Sequence, residues 1–140
     1  EDYGHHPTEI AATIAAARVT GQRVHVVFQP HRYSRTADSF NDFLPCFDQA
    51  QAVVITPIYA AHEEAMPGLS ARILAESIAA HQRSAQVRQD ADASLVQYAA
   101  HFDEAIGFMK AHANNGDTIL ILGAGDIHQI VSPMIEALTC

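Results

Sequence analysis

Tryptophan is absent and cysteine nearly so: Cys46 and Cys140 lie far apart and outside any metal-ligand spacing. That excludes a disulfide framework and a cysteine-built zinc site, and predicts one buried and one terminal thiol. Long apolar runs are missing too. The stretch from Ala52 to Ile55 is strand-sized, far short of the ~18 residues of a membrane span. The opening EDYGHH is acidic and aromatic where a secretory signal needs basic and then apolar residues, so cytoplasmic localisation is the default. Positive charge is scarce: eight Lys and Arg face sixteen Asp and Glu, a net charge of −8. Non-specific nucleic-acid binding rests on basic surface that neutralises phosphates, so this balance argues against it. No GxxxxGK[ST] phosphate loop occurs, so the chain alone has no ATPase apparatus.

What is present is an ordinary globular composition, 49% apolar and 17% charged over 140 residues, enough for one domain with its own core. Its most informative stretch is FQPHRYSRT, Phe28 to Thr36. An apolar strand, VHVVF, ends in a proline, and polar residues crowd into the loop that follows. Ligands of open α/β sheets sit beyond the carboxyl ends of the strands. Arg32 and Arg35, two of only seven arginines, bring planar charged forks that can grip one carboxylate or phosphate from two sides. The alternative is a pair of solvated surface arginines.

Along the chain, Pro7 suits a first helical position, Ile10, Ile14 and Ala17 share a face, and Gly21 closes the helix. Asp2 to His6 is thus a polar loop at a helix N-terminus, favourable for an anion. After the arginine loop a helix is predicted to start near Thr36 to Asp38, burying Phe40, Phe43, Leu44 and Phe47, with Pro45 ending or kinking it. AVVIT is a strand covered on both faces. Ser70 caps a helix carrying Ile73, Leu74 and Ile78, and Arg83 to Ala93 is a polar connection. Leu95 to Tyr98 is a strand, and a helix striped by Phe102, Ala105, Ile106 and Met109 follows. The turn Asn115-Gly116-Asp117 leads into TILIL, and GAGD turns into a last helix bearing Ile127, Ile130, Val131, Met134 and Leu138, which Pro133 bends. Alternating elements with long spacings predict four strands and five helices in a mostly parallel sheet with right-handed crossovers. The opening helix lacks a preceding strand, which predicts a fragment of a longer protein with its first strand trimmed.

GAGD lacks the spacing of a dinucleotide fingerprint and reads as a tight turn that needs small residues. Nine histidines raise the question of metal, but the adjacent His5 and His6 would point apart in regular structure and no HExxH arrangement occurs, so no metal site is predicted. His5 and His31 differ from the others, because each sits in a polar loop where an imidazole can donate to a carboxylate. Glu63 and Glu64 read as solvated, and no catalytic residue is assigned.

DYGHHPTEI at Asp2 to Ile10, FQPHRYSRT at Phe28 to Thr36, YAAHE at Tyr59 to Glu63 and LGAGD at Leu122 to Asp126 together resemble the C-terminal domain of the Mur ligases. The resemblance runs in order over essentially the whole chain. It is strongest to the members that join L-alanine to UDP-N-acetylmuramate in peptidoglycan synthesis. It implies a Rossmann-like three-layer α/β sandwich spanning residues 1–140, the third domain of an ATP-dependent enzyme. The N-terminal domain would hold the UDP-sugar, and the central one the phosphate loop and Mg²⁺. The sugar's lactyl carboxylate would become an acyl phosphate that the alanine amine attacks. By position, Asp2 matches a contact to the ATP ribose, and Tyr3, His5, Arg32 and Arg35 match the surroundings of the amino-acid carboxylate. His31 lies beside them, its role open. The family usually has glycine where this chain has His62. The alternatives are a related ligase that attaches a recycled peptide to the same sugar, and a carboxylate-binding module without chemistry. The domain alone is not expected to turn over.

Overall fold

The computed structural model describes residues 6–84 and 95–139. Among these, four strands form one sheet in the order β3-β2-β1-β4: β1 (Val24–Phe28), β2 (Ala52–Ile55), β3 (Val96–Tyr98) and β4 (Thr118–Leu122). Every pairing is parallel, so a sheet expected to be mostly parallel is wholly so here. Val27 sits at the centre, level with Val54 on one side and Ile121 on the other.

Alternation along the strands sends side chains to two cores, as a sheet covered on both faces requires. Val24, Val26, Phe28, Val53 and Ile55 pack with residues of α1 (Pro7–Arg18), α3 (Phe40–Cys46) and α4 (Ala71–Ser84). Val27, Ala52, Val54 and Ile121 pack with α5 (Phe102–His112) and α6 (Val131–Thr139). The expected three-layer α/β sandwich is therefore present.

Several local expectations hold for stated physical reasons. Pro7 is the first residue of α1, His6 caps it by accepting the Thr8 amide at Nδ1 (3.2 Å), and Gly21 follows at φ +82°. Ser70 Oγ accepts the Ile73 amide at the start of α4 (3.1 Å), although Ile73 itself is exposed while Leu74 and Ile78 are buried. Cys46 is a buried thiol, its pKa pushed up by desolvation and by the charge of Asp48.

Other expectations need correction. The helix after β1 begins at Tyr33, not near Thr36 to Asp38, so the arginine loop is shorter than predicted and Arg35 lies within α2 (Tyr33–Asp38). Thr36 does not cap: from the second turn its hydroxyl bonds back to the Arg32 carbonyl (2.7 Å). Ser39 then separates α2 from α3, so one expected helix is two. Pro45 falls one residue before the end of α3, consistent with its missing donor. The last helix is also divided. Asp126–Ile130 form a 3-10 turn, and α6 starts at Val131, which puts Pro133 in a first turn where no N–H is required. The first division gives six α-helices among the described residues instead of five, and the second adds the 3-10 turn.

Candidate functional site

Both central strands end at prolines, Pro30 and Pro57, whose missing N–H groups interrupt the ladder. Pairing resumes one step further on. Tyr59 N donates to Pro30 O (2.9 Å) and Arg32 N donates to Tyr59 O (2.8 Å), a parallel bridge between His31 and Tyr59. The two rings stack over it at 5.6 Å with an 18° tilt. The loop after β1 and the loop after β2 are thus one paired unit at the carboxyl end of the sheet.

Arg32 has φ 68° and ψ 141°, a conformation that L-residues avoid. It is held there from both sides of its own peptide. Its amide is spent on Tyr59, and its carbonyl accepts from Thr36 N (3.1 Å) and Thr36 Oγ1 (2.7 Å), Thr36 being fully buried. Arg32 precedes α2 and Arg35 stands three residues on, a spacing that places side chains on neighbouring turns of a helix. Arg32 is exposed and Arg35 half-buried. Among the described residues, the ion pairs are those of Asp117 with Arg23 and His25 and of Asp48 with His81, so neither loop arginine is engaged in one.

Glu63 is not merely solvated, as its sequence context suggested. Its carboxylate accepts from the Ser34 amide (3.0 Å) and the Ser34 hydroxyl (2.5 Å). Those bonds, the side-chain one first, hold the Glu63 carboxyl below its ordinary value, with a smaller contribution from the Arg32 charge. No local pattern announces this contact, since the partners are 29 residues apart.

Gln29 is the second residue that sequence reasoning passed over, although it lies inside the QPHRYSRT motif. It is buried, donates from Nε2 to Asp126 Oδ1 (2.6 Å), and accepts the Ile127 amide at Oε1 (3.2 Å). This ties the tip of β1 to the turn after β4. The glycines of GAGD are small for a packing reason. A Cβ on Gly125 would come within 2.5 Å of Tyr59 Cγ and 2.6 Å of Gln29 Oε1, and one on Gly123 (φ +147°) would meet Ile127 and Gln29. An open cleft of about 320 Å³ lies between these strand tips, lined by Gln29, Tyr59, His101, Phe102 and Asp126 among others. Neither Arg32 nor Arg35 lines it, and His31 stacks on Tyr59, which does. Asp2, Tyr3 and His5 lie outside the described residues, as do most of the polar connection from Arg83 to Ala93 and Cys140.

The family model described as "Mur ligase, glutamate ligase domain" matches residues 1–125. A UDP-N-acetylmuramate--L-alanine ligase of Acidobacterium capsulatum is 42% identical over 139 residues, 99% of this chain and 28% of that protein. The corresponding ligase of Syntrophotalea carbinolica is 46% identical over 138 residues, 97% of this chain and 28% of that protein. The chain therefore spans little more than a quarter of the length of these relatives. Among solved structures, a UDP-N-acetylmuramate-alanine ligase of Thermotoga maritima aligns at TM-score 0.69 with 20% identity, covering 99% of this chain and 26% of that one. A murein peptide ligase of Psychrobacter arcticus aligns at TM-score 0.69 with 21% identity, with the same coverage. At such identities the structures speak to fold alone, and they do so equally for both enzymes. The sequence match over most of the chain, on a parallel sheet with this paired loop at its tip, makes the protein a member of the Mur ligase family, within its glutamate ligase domain.

Proposed function

We propose that the chain is the C-terminal, amino-acid-presenting domain of an ATP-dependent ligase that joins L-alanine to UDP-N-acetylmuramate in peptidoglycan synthesis. The observation that carries this reading is the arginine pair at the tip of β1: Arg32 is pinned at its amide and its carbonyl, and Arg35 follows one helical turn later. The names of relatives 42% and 46% identical support alanine as the amino acid. Tyr3, His5 and His31 would complete the surroundings of its carboxylate, and Asp2 would meet the ATP ribose.

Two guanidinium groups on the carboxylate fix the alanine and leave its amine facing outward. Holding one reactant in the geometry of attack is a large share of what a ligase of two molecules must supply. Charge-assisted bonds suit the task, because the carboxylate is charged throughout the reaction and the chain otherwise repels anions.

The GAGD turn leaves no room for ATP phosphates, and the described residues offer no ligand cluster for Mg²⁺. No group of three or more His, Cys, Asp or Glu able to hold a metal occurs among them, and the space beside the GAGD glycines is filled by Tyr59 and Gln29. We assign activation of the sugar carboxylate to other domains of the full-length ligase. No described helix is long and apolar enough to cross a membrane.

The test is titration of the intact protein with L-alanine, glycine and L-serine, comparing wild type with Arg32→Ala and Arg35→Ala. Each variant should lose about 1.5–3 kcal/mol of alanine binding, about tenfold or more in affinity. Normal alanine binding by both variants would put the carboxylate site elsewhere.

A further inference from the structure

Among the described residues, three that are not glycine have positive φ: Arg32 (68°), Ala61 (49°) and His62 (74°). All three belong to the paired loops after β1 and β2. Strained backbone persists only where its surroundings over-determine it, and it gathers where a side chain must be aimed. Part of what determines it here is plain: the Tyr59 carbonyl holds the Arg32 amide, and Thr36 holds the Arg32 carbonyl.

The remaining anchor comes from Glu63. Helix α2 begins without a side-chain cap of its own, because Arg32 stands at the capping position and its side chain makes no such bond. A carboxylate from the other loop takes over that task, meeting both the amide and the hydroxyl of Ser34, one of the two residues between Arg32 and Arg35. The Ala61 and His62 conformations deliver it, since they turn the chain just before Glu63. The neighbouring Glu64 is exposed and has no such partner among the described residues.

We propose that Glu63 is a positioning residue, which by capping α2 through Ser34 presents Arg32 and Arg35 to the carboxylate of the amino acid. This rests on the ligase reading above and adds a residue to it. A residue that only stabilised the fold would affect every substrate alike. A residue that aims the arginine pair acts on the amino acid.

The experiment uses the full-length ligase and measures phosphate release while L-alanine, UDP-N-acetylmuramate and ATP are varied in turn, the other two being saturating. Glu63→Ala should raise the KM for alanine about tenfold or more, and leave the KM for the UDP-sugar and for ATP within about twofold. Glu63→Gln keeps a carbonyl acceptor for Ser34 and should recover much of the loss, whereas Glu64→Ala should change nothing. Adding Ser34→Ala to Glu63→Ala should cost little more than Glu63→Ala alone, as expected for two halves of one contact. Should Glu63→Ala fail to fold, Ser34→Ala with Glu63→Gln gives the same comparison. A Glu63→Ala enzyme with unchanged alanine KM, a parallel rise in all three KM values, or a glutamine variant as impaired as the alanine one would each overturn the role of Glu63 while the ligase reading stood. A wild-type enzyme that releases no phosphate on addition of alanine would overturn the ligase reading, and with it the ligand assigned to these arginines.

Discussion

His62 holds a backbone conformation poorly suited to its side chain. At φ 74° it occupies the left-handed region, where a Cβ crowds the following carbonyl. A positive φ of this size is one that glycine adopts without strain. Replacing His62 by glycine should relieve the strain, partly offset by the greater freedom of glycine in the unfolded chain, for a gain of about 0.5–1 kcal/mol. The shift in urea midpoint at constant slope measures it; a lower midpoint would mean that the imidazole contributes more than the strain costs. Gly125 is the converse case, a glycine required by its neighbours, since Tyr59 and Gln29 fill the space a side chain would occupy. The sequence reading of GAGD as a tight turn was right about small residues, but the reason lies in side chains from two other loops.

Among the elements, α3 shows how a short, proline-bearing segment stays in place. Seven residues with Pro45 near the end have little helical stability of their own. What holds α3 is aromatic packing: the Phe28 ring lies 5.4 Å from that of Phe43 and 5.6 Å from that of Phe47, and all three side chains are fully buried. Phe47→Ala should therefore cost about 3–5 kcal/mol, read from chemical unfolding. A cost below about 1 kcal/mol would mean that the site collapses around the missing ring. The phenylalanine spacing made this helix legible in the sequence. It did not reveal the division at Ser39, because apolar periodicity reports which side chains face the core and not where backbone bonds are interrupted. The 3-10 turn before α6 escaped for the same reason. Its apolar residues Ile127 and Ile130 are both buried, as a continuous helix would also have made them.

At the scale of the whole molecule, the end of the sheet opposite the paired loops is tied by one carboxylate. Asp117, in the turn before β4, accepts from Arg23 Nη2 (3.0 Å), His25 Nε2 (2.8 Å) and the Asn114 amide (2.8 Å). The Arg23 bond first, then those from Asn114 and His25, hold its carboxyl well below the usual range despite partial burial. The folded state therefore binds this proton less readily than the unfolded chain does. The stabilisation is fully present above the unfolded value, near 3.8, and is lost as pH falls below it toward the lower folded value. Unfolding free energy should thus decline on the acid side below about pH 4, and Asp117→Asn should flatten that decline while lowering stability at pH 7 by about 1–2 kcal/mol. Superimposable acid limbs for the two proteins would show that other carboxylates govern the loss.

The sequence by itself determined the alternation of strands and helices, the two-faced burial of the sheet and the placing of an arginine pair just past a strand end. Each of these is written in residues close together, through apolar period, turn chemistry and the proline that stops a strand. Only the tertiary structure decided what secures that end: Glu63 on Ser34, 29 residues apart, and Gln29 on Asp126, 97 residues apart. A hydrogen bond between distant polar side chains needs both partners brought to within about 3 Å, and it is the parallel stacking of β1 against β2 and β4 that sets their loops side by side.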